Sequence, residues 1–291
     1  DPYQLYNNFT VGKDENGNTT SAPGNVLFDS TVRSELIKSW EAGFDVRFFN
    51  NRLGLDAAWY KTNATRQLLN LPMDPFSGYS SRKVNAGNIQ NEGIEISLNG
   101  AILDNPKGLS WNSTAQFSLN RNKIIDLYPG VTLYDIKTLD AIQIVAVQGS
   151  YYGDIYGQTF QRVEDKNDPN YGKIIVGEDG LPLITTGKSK VGNQSPDWML
   201  GWTNSIAYKG FNISFLVDFR IGGDLYSATA SNLYVRGNAA GTVVNGNRQD
   251  FVVPNSVVQT SNGYAENKVP VTHQNYWERI GSTGNYGLPE M

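Results

Sequence analysis

The chain of 291 residues contains no cysteine, which removes disulfides, thiolate zinc sites and cysteine nucleophiles from consideration. It has a single histidine, His273, and no G-x-S-x-G elbow, so serine-triad chemistry lacks its usual setting; His273 reads as an exposed loop residue. Long apolar runs are missing too. The best, AIQIVAV from Ala141 to Val147, is far short of the ~20 residues of a membrane-spanning helix and is interrupted by Gln143. Charge is scarce at 18%, and the net value of -4 gives no reason to expect nucleic acid. The first residues, DPYQLYNNFT, show neither a basic nor an apolar leader segment, so a signal peptide is expected to be absent or removed.

These absences do not exclude a membrane barrel, whose strands need only ~9–11 residues and carry apolar groups on one face. The sequence has 30 glycines, 16 tyrosines and 6 tryptophans, and its apolar residues alternate with polar ones. LSWNSTAQFSLNRN, residues 109–122, has Leu109, Trp111, Ala115, Phe117 and Leu119 on one alternation, broken by Ser113. Asn112, Thr114, Gln116 and Ser118 fill the other, so two unlike environments must flank the strand.

Six such segments fall into three pairs. Ile37–Phe49 and Arg52–Thr62 meet at Asn50-Asn51, a dipeptide that tolerates positive φ. In that register Phe48 faces Leu53, Val46 faces Leu55, Phe44 faces Ala57 and Ala42 faces Trp59; a one-residue slip would spoil every pair. Around Lys209-Gly210, Tyr208 faces Phe211, Ile206 Ile213, Trp202 Val217 and Leu200 Phe219, with only Asn204 opposite Phe215 out of place. Between them, Ile94–Ile102 and Leu109–Asn120 are joined through Asp104-Asn105-Pro106-Lys107-Gly108, which predicts Gly100 near Trp111.

Connections within pairs are short and those between pairs long, and a compact soluble domain rarely carries structureless connections beyond ~12–15 residues. Short turns at one end and long loops at the other suit an all-β, antiparallel transmembrane barrel. The predicted organisation is an extracellular loop region over 1–34, barrel hairpins over 35–62, 89–120 and 197–220, and extracellular loops over 63–88, 121–196 and 221–291. Short hairpins such as GKIIVGEDGLPLIT are expected inside the loops. Trp40, Phe49, Trp59, Tyr60, Trp198, Trp202, Tyr208 and Phe211 gather at strand ends, as in the aromatic girdles of such barrels. The polar face carries Asp45, Arg47, Asp56, Glu95, Asn112, Thr114, Gln116, Asp218 and Arg220, expected to line a lumen. The alternative is a soluble, surface-exposed carbohydrate-binding β-sandwich, with those residues facing bulk water. Six strands cannot close a barrel with a lumen, which takes about eight or more, so a barrel requires this to be a fragment, and GNYGLPEM carries no closing strand pattern.

The segments also resemble a known family. SELIKSWEAGFDVRFFNNRLGLDAAWYKTNATRQLL, NAGNIQNEGIEISLNG, the strand running into NRNKI, and VGNQSPDWMLGWTNSIAYKGFNISFLVDFRIGGDLYS are similar, in order, to the C-terminal barrel half of SusC/RagA-type TonB-dependent outer-membrane transporters. The similarity covers Glu35–Ser227 well and is weaker beyond, at RGN near Arg236 and QNYWERI. The resemblance implies a barrel of ~22 strands in the outer membrane, plugged by a domain that couples to TonB. It further implies a SusD-like surface lipoprotein partner, import of glycans, oligosaccharides or peptides, no cofactor and no catalytic residues.

Other motifs weigh little. TTGKS, Thr185–Ser189, has Pro182 where a P-loop needs its first glycine, and reads as a loop turn. EDKNDPN, 164–170, offers oxygen ligands but not the EF-hand order, and reads as a turn. The carboxylate pairs Asp45/Asp56 and Glu164/Asp165 read as solvated surface, and the sequons at Asn8, Asn18, Asn63, Asn112, Asn193 and Asn212 as incidental. Loop aromatics can stack on sugars or anchor a partner: Tyr151, Tyr152, Tyr156 and Phe160 in one long loop, Tyr226, Tyr234, Arg236 and Trp277 in the last, are the candidate substrate or partner contacts. No metal site is expected.

Overall fold

The computed structural model describes residue 7 and residues 9–105, 107–139, 141–243 and 247–281; Asn8, Pro106 and the terminal GNYGLPEM lie outside them. In chain order the strands are β1 (Phe9–Lys13), β2 (Thr19–Pro23), β3 (Val26–Phe28), β4 (Leu36–Phe48), β5 (Leu53–Pro72), β6 (Ser81–Leu103) and β7 (Leu109–Asp126). They continue with β8 (Leu133–Leu139), β9 (Ile142–Val147), β10 (Asp154–Gly157), β11 (Ile174–Val176), β12 (Ser189–Asn193), β13 (Trp198–Tyr208) and β14 (Phe211–Ile221). Helix α1 (Ala228–Val235), strands β15 (Phe251–Val252), β16 (Ser256–Thr260), β17 (Gly263–Glu266) and β18 (Pro270–Val271), and helix α2 (His273–Gly281) follow. The chain divides into two compact units, the first formed by residues 1–134, 147–152 and 196–222, the second by 135–146, 153–195 and 223–291.

The first unit is a sheet in the order β14-β13-β7-β6-β5-β4, antiparallel throughout, with β3 added in parallel to the far end of β6. The two outer hairpins have the expected register, pair for pair. Their turns explain why: Phe49, Asn50 and Asn51 have φ of 52, 54 and 67°, and Lys209 and Gly210 of 46 and 90°. Such left-handed residues match the twist of the flanking strands and leave one register open. The middle pair departs from expectation. Gly100 lies opposite Ser113, and Trp111 opposite Leu103, because the register shifts between Ala101 and Leu103. A β-bulge absorbs the extra residue there and restores apolar pairing above it, with Leu98 on Ala115 and Ile96 on Phe117.

The strands also outrun their periodicity. β5 continues to Pro72 and β6 begins at Ser81, so most of the expected loop 63–88 is paired ribbon, ending in a short turn at Pro75–Ser77. Past Thr62 the side chains no longer alternate, yet backbone pairing persists, interrupted only at Arg66 and Gly87, where φ is positive and the Arg66 carbonyl accepts from the Asn85 side chain instead.

One face of the sheet is apolar and uncovered. Phe44, Phe48, Ile213 and Phe215 are 56, 46, 64 and 44% exposed, Val46 and Val217 half-buried, and no second sheet lies over them among the described residues. A sandwich would bury this face, so the soluble alternative lacks its second layer. The two polar intruders on the face are neutralised locally. The Trp202 indole N–H donates to Ser113 Oγ (2.9 Å) and that of Trp111 to Asn204 Oδ1 (3.0 Å). Asn204 is 1% exposed, so the pairing keeps its carbonyl and two indoles from facing hydrocarbon bare.

The second unit is built of small sheets and clusters. The order β12-β10-β9-β8 forms one antiparallel sheet, in which the fully buried Asp154 accepts from Lys190 (2.7 Å) and Asn193 (2.8 Å). β11 pairs in parallel with β16, which pairs with β17, and β15 pairs with β18. Val176, Leu181, Val253 and Val271 form its largest dry cluster. The expected hairpin in GKIIVGEDGLPLIT is present as a bridge between Val176 and Pro182, with the Leu183 N–H donating to Ile175 O (2.9 Å). Helices α1 and α2 stand in what the sequence suggested was irregular loop.

Two outcomes follow. Replacing Phe117, mid-strand on the apolar face, by Arg is expected to cost ~2–4 kcal/mol of folding stability in a bilayer, and Gln116→Arg on the opposite face much less, measured by denaturant titration of the full-length protein in lipid. The loop before β4 is tied by Asp29, which accepts from the N–H (2.9 Å) and hydroxyl (2.7 Å) of Thr31 and from Arg82. These bonds hold its carboxyl at about 2, below the usual 3.8. A depressed folded-state value stabilises the neutral-pH structure and is lost as pH falls from 3.8 through about 2. Exchange protection at Val26–Phe28, corrected for the intrinsic pH dependence of exchange, should therefore fall across that window, and Asp29→Asn should show the lowered protection already at neutral pH.

Candidate functional site

The opposite face of the large sheet is the first candidate surface. Register places Asp45, Asp56, Ser97, Gln116, Gly201 and Asp218 in one unbroken row across six strands. Arg47, Asn99 and Thr114 share the adjacent row on one side and Glu95 and Arg220 that on the other, and Asn112 pairs with Ser205, itself opposite Ser214. All nine residues expected on the polar side thus share one face. Arg47 donates to Asp45 Oδ2 at 2.8 Å. Both are nearly half exposed, so the pair contributes little to stability and leaves charge available to solvent. Gly54 makes this possible: a Cβ there would collide with the Arg47 guanidinium and Asn99. The result is a wet wall of mixed charge with room for side chains to lie flat.

The second candidate surface is in the second unit. α1 opens on Ser227, whose hydroxyl accepts from the Ala230 N–H, and α2 on Thr272, which accepts from Asn275 N–H (3.0 Å). These caps start helices whose rings meet: Tyr234 lies 4.7 Å from Trp277, Trp277 5.0 Å from Tyr276, Tyr276 5.3 Å from Phe251 and Phe251 4.6 Å from His273. Two clefts flank α1. One, of about 570 Å³, has Arg236, Arg248, Asp250, His273, Trp277 and Glu278 in its wall. The other, of about 260 Å³, has Asp224, Tyr226, Ser231 and Tyr234. Their walls enclose His273 Nδ1, Trp277 Nε1, Tyr226 OH and Ser231 Oγ, polar atoms with no protein partner. Rings, two guanidinium groups and carboxylates within one small volume can hold a polar solute or a partner's side chains.

The eight loop candidates divide. Tyr226, Tyr234, Arg236 and Trp277 come together around these clefts. Tyr151 and Tyr152 belong to the first unit, Tyr151 beneath the Arg121 guanidinium (6.0 Å) and Tyr152 donating its N–H to Asn122 O (2.8 Å). Tyr156 is half-buried in β10, between Gln143 and Lys190. Phe160 is buried, packed against Ile280, Ile174, Ile184 and Trp277. His273 is corrected, being buried at the start of α2 instead of exposed. Arg248, Asp224 and Ser231 were missed; the sequence signal for them was the pair of helix caps at Ser227 and Thr272.

The weak motifs resolve into turns. In EDKNDPN, Asp165 Oδ1 accepts from Asn167 N–H (2.9 Å) and Asp168 Oδ1 from Asn170 N–H (2.7 Å), two side-chain-closed turns. In TTGKS, Thr185 Oγ1 donates to Gly187 O and accepts from Thr159 N–H, fastening the loop.

A long antiparallel sheet with one bare apolar face, one wet charged face and two-residue-type turns is a wall segment of a transmembrane β-barrel. The family model for the TonB dependent receptor-like β-barrel matches residues 1–264, and the chain belongs to that family of outer-membrane barrel proteins. It is 28% identical over 231 residues to TonB-dependent receptor P3 of Formosa agariphila, covering 72% of this chain and 23% of that receptor. It is 25% identical over 225 residues to TonB-dependent receptor SusC of Bacteroides thetaiotaomicron, covering 74% and 22%. The structure of the RagAB peptide importer in its closed-closed state matches with a TM-score of 0.62 at 19% identity, over 76% of this chain and 25% of that one. The chain therefore spans about a quarter of the length of the relatives it matches, and is a SusC/RagA-type segment.

Truncating Trp277 to Ala should cost ~3 kcal/mol locally, seen as lost exchange protection in α1 and α2 of the full receptor. Arg236→Ala, exposed on the cleft rim, should leave that protection within about 0.5 kcal/mol.

Proposed function

We propose that this segment forms part of the barrel of an outer-membrane importer that acts with a SusD-like surface lipoprotein and is energised by TonB through a plug domain. The observation that carries it is the polar row from Asp45 to Asp218, continuous across six strands on the face opposite the apolar one. Water, plug and solute would meet that row; lipid would meet the other face. Short turns at 49–52, 104–108 and 209–210 would face the periplasm, and the residues of 1–34, the turn closing β5 and β6, and the segments within 121–196 and 221–291 would face outside.

The clefts beside α1 supply contacts for solute or lipoprotein through Tyr226, Tyr234, Arg236 and Trp277, with Tyr151, Tyr152 and Tyr156 as further candidates. The solute class is glycan, oligosaccharide or peptide, supported by the likeness to SusC and to a protein described as a peptide importer. No bond is made or broken in the solute; capture precedes passage when the plug moves. Deleting the full receptor should abolish TonB-dependent uptake of one labelled oligosaccharide or oligopeptide from a panel, and restoring it should return uptake and co-purify a surface lipoprotein. Uptake of the whole panel at wild-type rates in the deletion strain would overturn the proposal.

A further inference from the structure

The outward face changes character abruptly at the ends of the strands remote from the short turns. Trp40 in β4 lies opposite Lys61 in β5, Lys61 opposite Glu92 in β6, and Glu92 opposite Arg121 in β7. One step further out, Lys38 lies opposite Asn63, Asn63 opposite Gln90, and Gln90 opposite Lys123. Because side chains alternate, these residues share the face of Phe44, Leu55, Ile96 and Phe117, not the lumen face. Lys38 and Lys61 therefore stand just beyond the apolar band, about one membrane crossing (~9–11 residues) from the turn that joins their strands, and the register carries Arg121 and Lys123 to the same two levels.

Four cations project here against two carboxylates. Glu92 is engaged by Lys61 (3.4 Å), the Trp59 indole N–H (3.3 Å) and Gln90 Nε2 (3.3 Å), and Asp197 by Arg121 (3.2 Å). Lys38 and Lys123 are exposed and form no ion pair among the described residues. Trp40, 75% exposed and level with Lys61, and Trp59, one step nearer the turns, mark the interface. A surplus of positive charge at that depth, on the lipid side, attracts anionic headgroups, and the fork of Arg121 suits phosphate oxygens.

We infer that Lys38, Lys61, Arg121 and Lys123 form a binding row for a phosphate-bearing lipid headgroup of the outer leaflet. Aliphatic stems lie along the upper edge of the apolar band while their charged ends reach the headgroup level. The inference rests on the assignment of the apolar face to lipid and of the strand ends remote from the turns to the outer leaflet.

The test uses the full-length receptor in nanodiscs of neutral phospholipid containing either lipid A with its phosphates or its dephosphorylated form, with retained lipid counted by native mass spectrometry. The wild type should retain the phosphorylated form, and Lys38→Gln/Lys61→Gln/Arg121→Gln/Lys123→Gln should lose it by on the order of tenfold. The lumen-face control Arg47→Gln/Arg220→Gln should retain it. Should the quadruple variant fail to fold, judged by heat-modifiable migration, Lys38→Gln/Lys123→Gln breaks no ion pair and should lose part of the retained lipid. Equal retention by these variants and wild type, or equal retention of the dephosphorylated lipid, overturns the inference. A wild type that holds the lipid yet imports nothing defeats the import proposal alone; one that imports yet holds no phosphorylated lipid defeats this inference alone.

Discussion

The unbroken backbone ladder from β4 to β14 is the constraint on which the rest depends. In hydrocarbon an unpaired N–H or C=O costs several kcal/mol, so a chain that crosses a membrane as strands must keep pairing from one edge to the next. Once the ladder is fixed, alternation assigns every side chain to one of two faces. Asp45, Asp56 and Asp218 fall on one, and Phe44, Phe117 and Phe215 on the other. The few residues that break the rule are handled pairwise: Ser113 Oγ and Asn204 Oδ1 each take an indole N–H, although the Asn204 amide nitrogen stays buried with no partner among the described residues.

How much of this was legible depends on what fixes register. The outer hairpins were readable because tight turns with positive φ admit one register, and alternation on both strands then confirms it. The middle hairpin was not, since a five-residue connection allows slippage and a bulge between Ala101 and Leu103 leaves no mark in composition. The extension of β5 and β6 was hidden for another reason. Periodicity reports a difference between two faces, and once a ribbon passes beyond the apolar band both faces meet similar surroundings and the signal fades while pairing continues.

The loop unit was least legible. Its helices are short, eight and nine residues, and α1 shows almost no segregation of apolar positions onto one face. What distinguished Phe160 from Tyr234 or Trp277 was burial set by distant partners, Ile280 among them, which no local pattern encodes. Family resemblance supplied the fold and the outer-membrane setting, but could not supply these contacts.

The two units divide the physical work. The wall must keep its ladder and its two unlike faces at once, which leaves few positions free. The loop unit has no such ladder to maintain, so its clefts can vary in shape while the sheet stays the same. Side chains lining those clefts can therefore be replaced without altering register, whereas a change in register would exchange the two faces of the wall.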